Sequence, residues 1–172
     1  MCDEPLLGGM HIHLEIMTPI AFLLVLLTDG ASASCASNAA SFHQPDVSAE
    51  AQVIGLADSV FSAARARDAE RFATYFLDRP GFVYLINKRQ LNSVAELRST
   101  FTGMLARQRL FEPRWTNRRV QMISPTAGIF TGEFVTKAER SDGEAWGASG
   151  VVTFVAVRVE VGWRVASWHT SE

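Results

Sequence analysis

From Glu112 to Ser171 the apolar residues recur at every second position, and no helical stripe returns. The segments "EPRWTNRRVQMIS", "AGIFTGEFVTKAE", "EAWGASGVVTFVAVRVE" and "GWRVASWHTS" read as four long strands. Ser124-Pro125, Ser141-Asp142-Gly143 and Val161-Gly162 separate them. Linkers this short cannot carry a crossover, so consecutive strands must pair antiparallel. The last half of the chain is therefore one antiparallel sheet with no helix of its own, and whatever covers that sheet must come from earlier in the chain.

The earlier residues supply helices. Val53, Ala57, Val60, Phe61 and Ala64 recur at three- and four-residue spacing, one apolar stripe on a helix of about 17 residues that starts at Asp46 or Ser48. Asp68 is placed to cap a second, shorter helix, "AERFATYFL", with Phe72, Tyr75 and Phe76 facing inward. "DRPG" at 78–81 is a turn and "FVYLI" at 82–86 a first strand. Ser93-Val94-Ala95-Glu96 is a capping box that opens a third helix running to about Gln108, with Leu97, Phe101 and Leu105 on one face. Helices segregated from strands predict an α+β fold, with helices on one face of the sheet. Glycines at 128, 132, 147 and 150, inside long strands, predict a strongly bent sheet, because glycine relieves crowding at kinks and bulges. A bent sheet wrapped around three helices is a cone with an interior.

Residues 1–33 read differently. "TPIAFLLVLL" at 18–27 is an apolar run of export-signal length, and Ala31-Ser32-Ala33 fits a small-x-small cleavage pattern that would leave Ser34 as the new N-terminus. The expected organisation is a signal peptide over 1–33, a linker over 34–47 and one domain over 48–172, exported to the periplasm or beyond. The alternative is membrane anchoring through an uncleaved leader or a lipidated Cys35. The leader holds Asp3, Glu4, Glu15 and Asp29 and neither Lys nor Arg, so the rest of the chain carries 16 basic against 14 acidic residues. That balance is too weak for a nucleic-acid partner. Cys2 and Cys35 both lie before the domain, so no internal disulfide is expected. Beyond the leader only His43 and His169 remain as histidines, which leaves no metal-ligand spacing. No serine elbow, P-loop or dinucleotide fingerprint is present, and no cofactor is expected.

The ending Gly162-Trp163-Arg164-Val165 followed by His169 and Ser171 resembles the nuclear transport factor 2-like superfamily, in particular its SnoaL-like branch. "DGEAWGASGVVTFVAVRVEVGWRV" resembles that family's last hairpin, and "AARARDAERFATYF" its first helix–helix junction. The resemblance spans about residues 48–172. It implies a cystatin-like roll whose C-terminal strand lies inside the sheet, and a homodimer formed through that sheet. Its members range from ketosteroid isomerase, scytalone dehydratase and polyketide cyclases to transport adaptors and assembly domains, so the resemblance gives a fold and leaves function to the site.

On strict alternation Trp163, Val165, Ser167 and His169 share one face of the last strand, and the resemblance turns that face toward the cone. His169 is thereby expected at the pocket as a candidate general acid or base. Tyr84, Trp115, Phe130, Phe134, Trp146 and Phe154 are the other candidate lining residues. Tyr84 and Trp146 stand out because their rings carry polar tips. For any one of these aromatics plain core packing is the competing reading. Asp58 reads as solvent-facing, Asp68 as a cap and Asp78 as part of a turn, so the acid set of a ketosteroid isomerase cannot be assembled, and His169 lacks an evident acidic partner. Arg107, Arg109, Arg114, Arg118 and Arg119 form either an anion-binding rim or a solvated edge. The leading expectation is an exported domain that binds a small apolar or amphipathic molecule. The alternatives are a lyase or isomerase working through His169, and a homodimeric assembly module without a ligand.

Overall fold

Short polar side chains set where the helices begin. The computed structural model describes residues 47–172. The expected export segment, nearly all of the linker, Cys35 and His43 lie outside the described residues. Helix α1 spans Val47–Arg65 and buries Ala49, Val53, Leu56, Ala57, Val60, Phe61, Ala63 and Ala64, the predicted stripe with three additions. Asp68 caps α2 (Ala69–Thr74) by accepting the Arg71 N–H at 2.9 Å. Ser93 caps α3 (Val94–Leu105) by accepting the Glu96 N–H at 3.1 Å. Glu96 reaches one residue further back than a standard capping box and accepts the Asn92 N–H at 3.0 Å. Among the described residues no helix is long and apolar enough to cross a membrane.

Helix α3 ends at Leu105, three residues before the expected Gln108. Gln108 instead opens the first long strand. Its side-chain Oε1 accepts the Trp146 indole N–H at 3.0 Å, a tertiary bond that no local pattern announces.

Six strands form one sheet: β1 (Val83–Ile86), β2 (Arg89–Leu91), β3 (Gln108–Ser124), β4 (Ala127–Arg140), β5 (Ala145–Val159) and β6 (Gly162–Ser171). Their order is β2-β1-β6-β5-β4-β3. Strand β2 was not expected from the sequence. It turns back from β1 through Asn87 and Lys88, with φ of 48° and 65°, a two-residue hairpin of the primed type that suits the right-handed twist of the strands. The chain ends in an interior strand, antiparallel to β5 and parallel to β1, which makes β1·β6 the one parallel pair of the sheet among the described residues.

Strands β3, β4 and β5 curl around α1. Gly132 is required there: a Cβ would lie 2.7 Å from the Phe130 ring and 2.9 Å from Trp115. Gly150 makes room at the other end, where a Cβ would meet the Ser171 carbonyl oxygen at 2.1 Å. The concave face carries Phe130, Phe134, Val152, Phe154, Trp163 and Val165, all buried against the helices. The sheet is curled but not closed. The predicted α+β roll, helices inside a bent sheet, is the observed architecture.

One irregularity decides what the last strand presents. Val155 pairs with Ser167, whereas the next residue, Ala156, pairs with Val165, so Ala166 is an extra residue on β6. Two residues facing one is a β-bulge, and it reverses the inside–outside alternation beyond it. Before the bulge Trp163 and Val165 point inward. After it Trp168 and Thr170 do, and His169 turns outward. The bulge sits where Val165 bonds to the chain leaving α2, through its N–H to the Tyr75 carbonyl at 2.9 Å and its carbonyl to the Leu77 N–H at 2.8 Å. Beyond it the strand changes partner to β1.

Candidate functional site: an aromatic cavity inside the roll

The concave face is not filled to the end. Between the sheet and helices α2 and α3 lies a cavity of about 160 Å³. Tyr84 and Trp168, on its sheet side, end a run of rings from neighbouring strands. Phe130 stacks on Phe154 (centroids 4.6 Å apart, 12° between planes), Phe154 on Trp168 (5.3 Å, 5°) and Trp168 on Tyr84 (5.6 Å, 6°). Each strand presents one ring at the same level, because rings of this size match the spacing between strands. Phe72 and Phe101, stacked at 4.2 Å, cover the cavity from the helices. Phe134, Thr136 and Trp146 form the opposite wall.

Three of the seven expected lining residues meet there: Tyr84, Phe134 and Trp146. Phe130 and Phe154 are 0% and 1% exposed and belong to the supporting ladder, out of reach of the cavity. Trp115 is spent elsewhere. It stacks on Phe61 at 3.7 Å and 4°, and donates its indole N–H to the Ala57 carbonyl at 3.3 Å, fastening α1 to β3. For these three the side chains form core rather than lining.

His169 does not face the cavity. Its side chain is exposed on the convex face, paired in register with Leu85 and Thr153, beside Lys88 and Ser171 in an open groove. The expectation that it points inward fails because the bulge at Ala166 shifts its parity by one. Its place is taken by Trp168 and Thr170, which are joined by an indole N–H donated to the threonine hydroxyl at 2.7 Å. Neither was singled out from the sequence. Thr136 was legible, since it shares the alternating face of Phe134.

The polar tips of the lining differ in occupancy. Trp146 donates to Gln108. Thr170 accepts from Trp168. Tyr84 is 2% exposed, and among the described residues nothing bonds its hydroxyl. No buried side-chain polar atom there lacks both a partner and accessible surface, so the free surface of this hydroxyl opens into the cavity it lines. Burial drives its ionisation far above the ordinary tyrosine range, because the phenolate would lose its hydration. The group stays a neutral donor. Among the described residues Glu172 is the one charged side chain that lines the cavity, as does Asn87. His169 has neither a hydrogen bond nor an ion pair among the described residues. Proton transfer needs a titratable group within hydrogen-bond reach of a bound molecule, and in the described lining those groups are Tyr84 and Glu172, not His169.

The arginines form a solvated edge. Arg118 pairs with exposed Asp58 at 2.7 Å, Arg114 with Glu112 at 3.3 Å and Arg109 with Glu139, while Arg107 donates to the Gly103 carbonyl at 3.0 Å. All are exposed, as is Arg119. Among the described residues no group of three or more His, Cys, Asp or Glu side chains is placed to hold a metal.

Residues 53–172 match the family model described as the SnoaL-like domain. The chain belongs to the SnoaL-like family. Its roll is shared by solved structures of low sequence identity, which show the fold alone. A nuclear transport factor 2-like superfamily protein from Salmonella enterica serovar Typhimurium superposes with a TM-score of 0.67 at 12% identity, covering 72% of this chain and 90% of that one. A protein with a cystatin-like fold from Caulobacter vibrioides gives 0.60 at 18%, covering 70% and 87%. A hexachlorocyclohexane dehydrochlorinase of type 2 gives 0.62 at 13%, covering 70% and 82%. No curated protein matches the chain. The SnoaL-like domain thus joins a superfamily in which one roll hosts many chemistries, and what distinguishes this member is the lining of its hollow.

Proposed function

We propose that this SnoaL-like domain binds a small apolar molecule in the hollow between its sheet and its helices. The observation that carries the reading is a cavity of about 160 Å³ walled by aromatic side chains on both the sheet and the helix sides. Enclosed apolar walls with a few polar tips are what a small-molecule site requires. The position of His169 favours binding over proton transfer, since the imidazole is separated from the cavity by the sheet itself. Export through residues 1–33 remains part of the proposal, supported by the apolar run at 18–27 and the small residues after it.

Ala148 lies in the cavity wall on β5, so an enlarged side chain there would occupy the hollow. Native mass spectrometry of protein purified from its own cells should show a small-molecule adduct on the wild-type chain and none on Ala148→Phe of unchanged circular dichroism. An adduct that survives the filled cavity would contradict the proposed site.

A second feature supports a homodimer. The convex face of the sheet exposes Val135 at 44% and Val151 at 39%, with Ile129, Val155 and Val157 half-buried beside them. These side chains share the open face of β4 and β5 with Thr131, Thr153 and Glu133, the last opposite Val151, and a second copy would cover that mixed face.

A further inference from the structure

The cavity's size and its deepest unengaged hydroxyl narrow the occupant. We propose that the preferred ligand is an uncharged, single-ring aromatic molecule carrying a carbonyl group, with the carbonyl oxygen accepting a hydrogen bond from the Tyr84 hydroxyl. This rests on the binding reading above and adds the chemical class.

Size comes first. At about 160 Å³ the hollow is close to the ~150 Å³ at which an engineered apolar cavity takes up benzene. A hollow of that volume holds about one ring. Shape follows from the walls. Tyr84 and Trp168 lie nearly parallel on the sheet side, and Phe72 and Phe101 face them from the helices. Phe101 meets Tyr84 edge-on at 5.7 Å, so a flat ring lies beside that pair rather than between them, and aromatic faces favour offset stacking or edge-on approach.

Charge is settled by what the wall lacks. Among the described residues no Lys or Arg lines the cavity, and Glu172 is the one charged side chain that does. A carboxylate or phosphate would lose its hydration and gain no cation in return. Polarity is then set by the hydroxyls. Tyr84 and Thr136 have no side-chain hydrogen-bond partner among the described residues, and Thr170 accepts from Trp168 while its own O–H is not engaged. Tyr84 is the deeper, at 2% exposure against 9% for Thr136, and a phenol is the stronger donor. The hydroxyl keeps accessible surface, and a carbonyl oxygen in the cavity would give it a direct acceptor. Burial also keeps that phenol protonated throughout the neutral range.

The test uses acetophenone and its hydrocarbon counterpart ethylbenzene, with benzoate as the charged probe. Isothermal titration on the wild-type chain, Tyr84→Phe and Thr136→Val measures all three. Both neutral probes should bind the wild type, and benzoate should not. Tyr84→Phe should weaken acetophenone roughly tenfold, the size of one lost hydrogen bond, and leave ethylbenzene unchanged. Thr136→Val should leave the acetophenone affinity within about twofold. An equal effect of Tyr84→Phe on both neutral probes, or loss of acetophenone only in Thr136→Val, would overturn the assignment. A second readout needs no variant: the carbonyl stretch of acetophenone bound to the wild type should fall below its value in hexane, and an unshifted band refutes the hydrogen bond. Ethylbenzene binding without acetophenone would remove the Tyr84 inference and leave the pocket standing. If neither neutral probe binds, both the inference and the binding reading fall.

Discussion

Trp168 and His169 are neighbours on β6, and the bulge at Ala166 assigns them to opposite sides of the sheet. Replacing each by alanine reads that assignment as a stability difference. Trp168 is 4% exposed, stacks on Phe154 at 5.3 Å and on Tyr84 at 5.6 Å, and donates its indole N–H to Thr170. Removing a buried tryptophan costs about 3–5 kcal/mol, in which the lost ring contacts and the cavity left behind are both counted. The lost hydrogen bond contributes about 1 kcal/mol of that range. For a domain of this size the melting temperature falls by roughly 3–5 °C per kcal/mol, so Trp168→Ala should melt about 10–20 °C lower. The His169 side chain is exposed and makes no hydrogen bond or ion pair among the described residues, so His169→Ala should stay within about 0.5 kcal/mol of wild type. Urea and thermal denaturation, followed by far-ultraviolet circular dichroism, measure both. Trp168→Phe, which keeps a stacked ring and loses the N–H, should fall between them. If His169→Ala cost several kcal/mol while Trp168→Ala cost less than about 1, the strand would alternate without a bulge and the site would have to be rebuilt around the imidazole.

Three further outcomes follow from particular residues. Lys88 holds φ at 65° in the β1–β2 turn, where a non-glycine residue costs on the order of 1 kcal/mol; Lys88→Gly should therefore raise stability by up to that amount, readable as a higher urea midpoint at unchanged slope. Tyr84 ionises in the unfolded chain near pH 10 but far higher in the folded one, so the folded state holds the extra proton above that point. Stability should be intact below pH 10 and fall above it by up to about 1.4 kcal/mol per pH unit, and Tyr84→Phe should remove this part of the alkaline loss. If the convex face joins two copies, Val151→Lys, a charge at a position 39% exposed, should turn a dimeric scattering mass into a monomeric one, and a wild-type chain that is monomeric at high concentration would refute that interface.

Much of the architecture was legible because it rests on periodicity. The stripe of α1, the Asp68 and Ser93 caps and the Ser141-Asp142-Gly143 hairpin are local signals, and each marks a real boundary. The short strand β2 escaped notice because its turn is Asn-Lys, without the glycine that usually signals such a hairpin. Gln108 read as the end of a helix because its partner, Trp146, is distant in the chain. The site was less legible than the fold for one physical reason: alternation places residues correctly only until a strand gains a residue. The sequence did hold a clue. Trp163 and Trp168 are an odd number of positions apart, so a regular strand would send one of two large apolar rings to the outside. Burying both demands one extra residue between them, and the adjacent small pair Val165-Ala166 is where it lies. The polar tips of Tyr84 and Trp146 were equally attractive from composition, and only the Gln108 bond shows that the indole is already engaged.

The central claim is that the hollow of the roll, rather than its outer surface, receives the ligand. Crystals soaked in bromobenzene and measured at the bromine absorption edge test it most directly. The expected result is one strong anomalous peak enclosed by Tyr84, Trp146 and Trp168. Bromine found only in the outer groove beside Lys88 and His169, with the hollow vacant, would contradict it.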